Sequence, residues 1–337
     1  MKKLILFVAL CVSVFLVNAQ KLHSIQEILE IMGDSDLSYS ISNDAALETP
    51  DYTDKLVSND IYRVKEDGQH YVIKNYELTK EASGYFDDAE EFFQQKNFAD
   101  ARKNYQKVLE ICPSYFKAMV YIGDTYFHEK DFDKAQLWYQ KAIDNNYIDY
   151  LAHWALSNTF LNKGEYSKAL KEISIAKVLN RNNPRLTTKL QEIYKFNKKQ
   201  YNDWYLTPLY YVDEAYDSKK EKDIVKVSYK DYWLPYAMVK AVWAYEPGYA
   251  ESMGSDPVGL VQEKEAIAAV LMTVDKKIAK KDIALKTLQY AVDNKEFETY
   301  VVFERILPEN PQISLYLEPE AIEGIADYIV NMRCKVK

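Results

Sequence analysis

Few residues of this chain stand at the spacings that catalysis needs. Tyr236 and Lys240 are four positions apart, a separation at which a lysine ammonium can lower the pKa of a tyrosine for hydride-transfer chemistry. That chemistry also needs a glycine-rich turn to hold a dinucleotide, and the sequence contains no such turn. We therefore expect Tyr236 to be a core residue and Lys240 to reach solvent, and we predict no cofactor.

The remaining chemistry-bearing residues form no recognisable catalytic or metal-binding pattern. No two of the four histidines have the spacing of helical metal ligands, and His128-Glu129 lacks the second histidine of a zinc-protease helix. A G-x-S-x-G elbow, a phosphate-binding glycine loop and a C-x-x-C pair are missing from the sequence as well. We predict no catalytic residue and no metal site. Acidic pairs such as Asp213-Glu214 leave a hydrolase in residues 200–337 as an alternative.

The first nineteen residues have the layout of a cleavable secretory signal. Lys2 and Lys3 precede an apolar run from Leu4 to Val17, and Ala19 ends a small-residue site before Gln20. We predict a signal peptide at 1–19 and an exported product, periplasmic or secreted. No later stretch reaches the ~18 apolar residues of a membrane span, so we expect the mature chain to be soluble, without a transmembrane segment.

The net charge of the mature chain excludes one class of partner. Removing Lys2 and Lys3 from 43 basic residues leaves 41 against 51 acidic ones, a net charge of −10. A chain this acidic repels phosphate backbones, so we predict no nucleic-acid partner.

Two cysteines, Cys112 and Cys334, remain after processing. Either a single disulfide or two buried thiols fits an exported protein.

The middle of the chain repeats itself every 34 residues. A small residue is followed three positions later by an aromatic one in each copy, namely Ala89 and Phe92, Gly123 and Tyr126, Ser157 and Phe160. Three six-residue segments align at the same shift: Lys96-Asn97-Phe98-Ala99-Asp100-Ala101, Lys130-Asp131-Phe132-Asp133-Lys134-Ala135, and Gly164-Glu165-Tyr166-Ser167-Lys168-Ala169. Small side chains let two antiparallel helices approach, aromatic rings fill the space beside them, and neighbouring copies bury the faces that one copy leaves open.

This pattern is similar to the tetratricopeptide repeat, whose consensus is a 34-residue helix–turn–helix. The resemblance covers three copies, 82–115, 116–149 and 150–183. Departures such as Met119 and His153 in place of the consensus tryptophan affect single positions. Beyond Pro184 the phase is lost, and Arg185 to Lys199 is typical of an amphipathic helix that caps the stack.

The regions on both sides of the repeats are shorter elements of mixed character. In 20–81, Ser24 can cap a helix through Met32, and Asp67-Gly68 predicts a hairpin within 62–76. Region 200–337 resembles no family; it predicts strands at 209–212 and 224–227 and helices at 233–245, 266–274, 283–292, 297–307 and 320–332. The predicted fold is therefore mainly α: a three-repeat helical solenoid with a capping helix (82–199), a small N-terminal α+β element and a C-terminal, mostly helical region.

The resemblance also implies a binding surface. In this family the first helix of each repeat lines a concave groove that receives an extended peptide or a partner helix. The matching positions here are Phe86, Glu90, Phe93, Gln94, Val120, Asp124, Phe127, His128, Trp154, Asn158, Leu161 and Asn162. These residues favour a ligand that anchors itself with apolar or aromatic side chains and carries basic residues beside them, which would meet Glu90 and Asp124. The alternative that Phe86, Phe93 and Trp154 are packing residues stays open.

Our hypothesis is an exported, non-enzymatic adaptor whose groove binds a protein or peptide of the cell envelope. The alternatives are a glycan-binding accessory protein, which the 29 tyrosines would also suit, and the hydrolase named above.

Overall fold

The computed structural model describes residues 22–66, 68, 70–201, 204–217 and 222–333 of the 337-residue chain. They form two compact units. The repeat unit contains the described residues of 53–201 and 311–333, and the mixed unit those of 22–52 and 204–310. Residues 20–81 are thus shared between the units, and the domain boundaries drawn from the sequence stay a prediction. The predicted signal peptide (1–19) and Cys334 lie outside the described residues.

The elements are numbered in chain order. The mixed unit begins with α1 (Ile25–Asp34) and β1 (Ser38–Asn43). The repeat unit follows with β2 (Ile61–Glu66), β3 (His70–Asn75), α2 (Lys80–Gln94), α3 (Phe98–Ile111), α4 (Phe116–His128), α5 (Phe132–Asn145), α6 (Tyr150–Asn162), α7 (Tyr166–Leu179) and α8 (Pro184–Phe196). The chain then returns to the mixed unit with β4 (Tyr210–Asp217), β5 (Lys222–Tyr229), α9 (Leu234–Tyr245), α10 (Tyr249–Ser252), α11 (Leu260–Thr273), α12 (Lys276–Ala279), α13 (Ile283–Asp293), α14 (Phe297–Val301), a π-helix (Val302–Ile306) and α15 (Leu307–Glu309). A 3₁₀ helix (Pro311–Tyr316) and α16 (Pro319–Asn331) complete the repeat unit.

Helices α2 to α7 form the three helical hairpins that the 34-residue period predicts, and the mainly helical fold class is confirmed. Small residues stand where the helices meet: Ala89, Ala101 and Ala135 are fully buried. A Cβ added to Gly123 would lie 2.5 Å from Cε1 of Tyr139, so only glycine permits this approach of α4 to α5.

The turn inside each hairpin also recurs every 34 residues. Lys96, Lys130 and Gly164 adopt positive φ angles of 59°, 64° and 76°, and Lys198 follows at 53°. In the first turn, Asn97 N–H donates to the Phe92 carbonyl and Lys96 N–H to the Phe93 carbonyl, the two hydrogen bonds of a Schellman motif. Because the turn after α8 has the same geometry, the phase does continue past Pro184. Helix α8 caps the stack as the first helix of a fourth, incomplete repeat, which corrects the prediction that the phase is lost.

The predicted hairpin is confirmed: β2 and β3 pair antiparallel with Ile61 opposite Asn75. It packs at the ends of the repeat helices, where the Asn146 side-chain amide donates to the Ile61 carbonyl at 2.9 Å. Arg63 of β2 donates to the carbonyls of Leu315 and Leu317, which joins the hairpin to the C-terminal segment.

The C-terminal helix α16 packs against α7, the second helix of the third repeat. Lys171 of α7 forms an ion pair with Glu323 at 2.7 Å, and the Tyr194 hydroxyl donates to the Ile329 carbonyl. The tail therefore covers α7 and reaches α8 through Tyr194. The side formed by first helices is the one on which the predicted groove residues lie.

The mixed unit contains a three-stranded sheet in the order β1-β5-β4, with β1 parallel and β4 antiparallel to β5. The strands predicted near 209–212 and 224–227 are confirmed as β4 and β5, whereas β1 was not predicted. Val225 and Val227 of β5 pack against Ala237 and Ala241 of α9. The predicted helices of this region are present. A π-helical turn interrupts the one predicted at 297–307, and it is followed by Pro308, which lacks an N–H for the carbonyl four residues earlier.

A buried polar network occupies the core of the mixed unit. Tyr236 is fully buried, as expected, and its hydroxyl donates to Glu263 at 2.7 Å. Arg305 Nε and Lys240 Nζ lie 3.3 and 3.0 Å from the same carboxylate. The expectation for Lys240 is wrong, because its ammonium points at the buried acid and not at solvent. Burial together with Glu263 raises the pKa of Tyr236 far above its ordinary value, despite the opposing charge of Arg305, the reverse of what a catalytic tyrosine needs.

Candidate functional site

The first helices α2, α4 and α6 carry the predicted groove residues in three equivalent sets. Their order along the helices brings together Val120 and Asp124 of α4 with Trp154 and Asn158 of α6, in a concavity of about 220 Å³. Lys117, Tyr121, Asp149, Leu151 and Ala155 complete its lining.

Glu90 and Asp124, the two acids of the predicted groove set, each accept a hydrogen bond from a tyrosine of the same repeat. The Tyr139 hydroxyl donates to Asp124 Oδ1 at 2.5 Å, and the Tyr105 hydroxyl donates to Glu90 fifteen residues earlier in the same way. Both tyrosines are buried helix-packing residues. The position of each acid is therefore fixed by the repeat core. Among the described residues, no three histidine, cysteine or acidic side chains meet in a way that could hold a metal ion.

The two acids of the concavity hold their protons unusually strongly. Burial, with added repulsion from Glu90 and Asp149, raises the pKa of Asp124 to about 7, although the Tyr139 hydrogen bond opposes the rise. Burial raises the pKa of Asp149 to about 6, against the stabilising Leu151 N–H and the nearby charges of His153 and Lys117. Asp149 is only 3% exposed and caps the N-terminus of α6.

Aromatic side chains form the walls of this concavity. Tyr121 stacks on Tyr105 with ring centroids 5.6 Å apart. The indole Nε1–H of Trp154 is buried and has no hydrogen-bond partner among the described residues. A buried N–H without an acceptor is costly, so an acceptor on a bound molecule or a water would stabilise Trp154 in this position.

A second concavity, of about 600 Å³, continues the groove toward α8. It shares Asn158 with the first and is lined by Phe127, Leu161, Asn162, Tyr166, Lys189, Glu192 and Phe196. Tyr166 and Phe196 are 39% and 46% exposed, and their rings stack 5.2 Å apart. Lys189 and Glu192 form an ion pair at 2.7 Å.

The two phenylalanines of the first repeat in the predicted set are occupied with packing. Phe86 contacts Tyr105, Tyr115 and Tyr121 edge-on, with centroids 5.5 to 5.7 Å apart. Phe93 packs in the same way against Phe98 and His128. Gln94 is exposed at the end of α2. The structure thus groups Val120, Asp124, Phe127, Trp154, Asn158, Leu161 and Asn162 around the concavities, while the full set of twelve stays a prediction.

Several lining residues were missed from the sequence. Glu192 and Phe196 stand 34 residues after Asn158 and Asn162, so one further application of the period would have found them. Tyr121 belongs to a helix position left out of the set, and Asp149 precedes α6 as its cap.

Comparison with protein families matches residues 116–147 to the tetratricopeptide repeat. These residues contain α4 and α5, whose packing and turn recur in the hairpins on both sides. The chain carries tetratricopeptide repeats. Comparison with curated proteins finds no match.

Solved tetratricopeptide-repeat structures resemble part of the chain. The yeast Sti1 domain in complex with an Hsp70 peptide has 17% identity and a TM-score of 0.34, covering 36% of this chain and 98% of its own. The N-terminal domain of C. elegans STI-1 has 24% identity and a TM-score of 0.31, covering 33% and 93%. The Yersinia enterocolitica secretion chaperone SycD, with a peptide of the translocator YopD, has 19% identity and a TM-score of 0.34, covering 36% and 97%. No helix in the described part of the chain is long and apolar enough to cross a membrane.

Proposed function

We propose that this chain is an exported, non-enzymatic adaptor whose repeat groove binds an extended segment of a protein partner in the cell envelope. The observation that carries the proposal is the pair of adjoining concavities on the first helices α4, α6 and α8, which share Asn158. The tail packs mainly on the second helix α7, and the hairpin packs at the ends of the repeat helices.

The lining suits an extended chain. Val120, Leu151 and Leu161 offer apolar contacts, while the amides of Asn158 and Asn162 can pair with exposed peptide groups. Such a lining gives affinity through a few apolar anchors and fixes the register through hydrogen bonds.

The test compares two leucine truncations of equal size. Leu161 lines the groove, whereas Leu137 of α5 is 54% exposed on a second helix. Leu161→Ala should reduce recovery of the partner from native membranes, as quantified by mass spectrometry, and Leu137→Ala should leave it unchanged. Equal recovery with both variants, at unchanged melting temperatures, would contradict the groove as the binding surface.

The signal-like segment at residues 1–19 supports the proposed export. The protein purified from cell fractions should begin near Gln20 when its N-terminus is sequenced. A product that retains Met1 in the cytoplasmic fraction would contradict export.

A glycan-binding role is the second candidate, favoured by the exposed Tyr166 and Phe196 rings beside the amides of Asn158 and Asn162. Sugars stack on such rings and pair with such amides. Oligosaccharides should then shift the aromatic resonances of Tyr166 and Phe196, which the adaptor role does not require. The hydrolase alternative named Asp213 and Glu214 as an acidic pair. They occupy adjacent exposed positions of β4, where neighbouring side chains point to opposite faces of the strand, so this pair does not converge on one site.

A further inference from the structure

The concavity between α4 and α6 has a chemistry of its own. Its volume of about 220 Å³ is smaller than the sites that hold drug-sized ligands, so it suits a single side chain. Two carboxylates, Asp124 and Asp149, and two aromatic residues, Tyr121 and Trp154, line it.

The charges around the concavity do not cancel. Lys117 is the basic residue of its lining, and its ammonium forms an ion pair with Asp60 of the segment before β2. Glu90 of α2 adds its repulsion to Asp124. His153 and Tyr150 of α6 are further titratable neighbours of Asp149, and the ring nitrogens of His153 contact Glu172 and the Tyr147 carbonyl.

Four carboxylates act on Tyr121 at the wall of the concavity. Burial raises its pKa to about 12, and the charges of Glu90, Asp124, Asp60 and Asp149 all act in the same direction. An uncompensated negative potential in a partly desolvated site attracts a cation more strongly than it would in water.

We propose that this concavity binds the cationic side chain of an arginine on the partner segment, between the carboxylates of Asp124 and Asp149 and the ring of Trp154. The proposal rests on the adaptor function and names the residue that anchors its ligand. A guanidinium donates to two carboxylates through its several N–H groups and stacks on an indole face, which a lysine ammonium does less well.

Arginine binding is coupled to protons. The free concavity holds protons on Asp124 and Asp149 up to about pH 7 and pH 6, and a guanidinium favours the ionised forms. Affinity therefore rises as the pH increases through this range and falls in acid. From pH 8 to pH 5.5 we expect a loss of about tenfold or more.

The experiment uses the full chain and the smallest probe that carries the chemistry. N-acetyl-arginine amide is titrated at pH 8 while the Trp154 indole N–H resonance is followed, assigned with Trp154→Phe. A saturable shift is expected with the arginine probe and none with N-acetyl-citrulline amide, its neutral counterpart. Asp124→Asn should weaken the response about tenfold, whereas Asp144→Asn, the same change at an exposed site on α5, should not.

Equal responses to the arginine and citrulline probes, or an unchanged response in Asp124→Asn, would overturn the arginine site. A positional-scanning array of extended peptides separates this failure from that of the adaptor function. Peptides that bind through Leu161 without preferring arginine would leave the adaptor intact and refute the arginine site. Binding of the arginine probe with no binding of any peptide would support the arginine site and refute the adaptor function.

Discussion

Replacing Asp124 by asparagine should stabilise the protein in a pH-dependent way. The asparagine carbonyl can still accept the Tyr139 hydroxyl, but the buried group can no longer ionise. A rise in the Asp124 pKa from its ordinary 3.8 to about 7 corresponds to a ceiling of about 4 kcal/mol for burying the charge. The side chain remains partly in contact with solvent in the concavity, so we expect about 1–2 kcal/mol.

The direction follows from proton binding. Between about pH 4 and pH 7 the folded protein holds the Asp124 proton more strongly than the unfolded chain does, so the contribution of this group to the free energy of unfolding falls as the pH rises. The advantage of Asp124→Asn should therefore be near zero at pH 4 and complete above pH 7.

Thermal melting followed by circular dichroism at pH 4.5 and pH 8 measures this difference. Asp124→Asn should melt about 3–6 °C above the natural protein at pH 8 and within about a degree of it at pH 4.5. Asp144→Asn, at an exposed site, should show no such dependence. A natural protein that is the more stable of the two at pH 8 would refute the buried-charge reasoning.

Four further substitutions, one of them a control, test the packing. Gly123→Ala should lower the free energy of unfolding by about 1–3 kcal/mol because the new methyl group meets Tyr139. Gly84→Ala, whose methyl group meets nothing within 4 Å, should raise it by about 0.5–1 kcal/mol. Urea unfolding that gives both variants the same sign would contradict the close packing at Gly123. Lys130→Gly should stabilise by about 1 kcal/mol, since φ at this position is 64°, and an unchanged or lowered urea midpoint would argue against this turn. Glu263→Gln should destabilise by about 3 kcal/mol by removing the carboxylate from the buried network, which calorimetry would show as a lower melting temperature.

The repeat architecture was predictable because its constraints are local. Alanine and glycine at helix contacts and aromatic rings at fixed offsets determine how each hairpin packs, and these offsets are visible in one sequence. The same reasoning located the hairpin β2–β3 through Asp67-Gly68.

Features that depend on distant residues were less accessible. Strand β1 pairs with β5, which lies more than 180 residues away. Residues 38–43 also contain few of the apolar residues that indicate a strand in a sequence. Lys240 was expected in solvent because its partner Glu263 belongs to another helix. The fourth, incomplete repeat was missed because its sign is the backbone turn at Lys198, while its residue types depart from the consensus.

The candidate site was only partly accessible for the same reason. The family positions led to Asp124, Trp154 and Asn158, but which of the aromatic residues pack and which remain in the groove depends on neighbouring helices. Phe86 is enclosed by tyrosines of α3, α4 and the loop between them, a contact that the period alone does not show.

Photo-crosslinking in the producing cells tests the groove most directly. A benzophenone amino acid is placed at Asn162, which lines the groove and is exposed, or at Gln140, which is exposed on the second helix α5. The account predicts a defined covalent adduct with a partner protein from Asn162 and none from Gln140. Adducts from Gln140 alone, or none from Asn162, would contradict the proposal that the repeat groove is where this protein binds its partner.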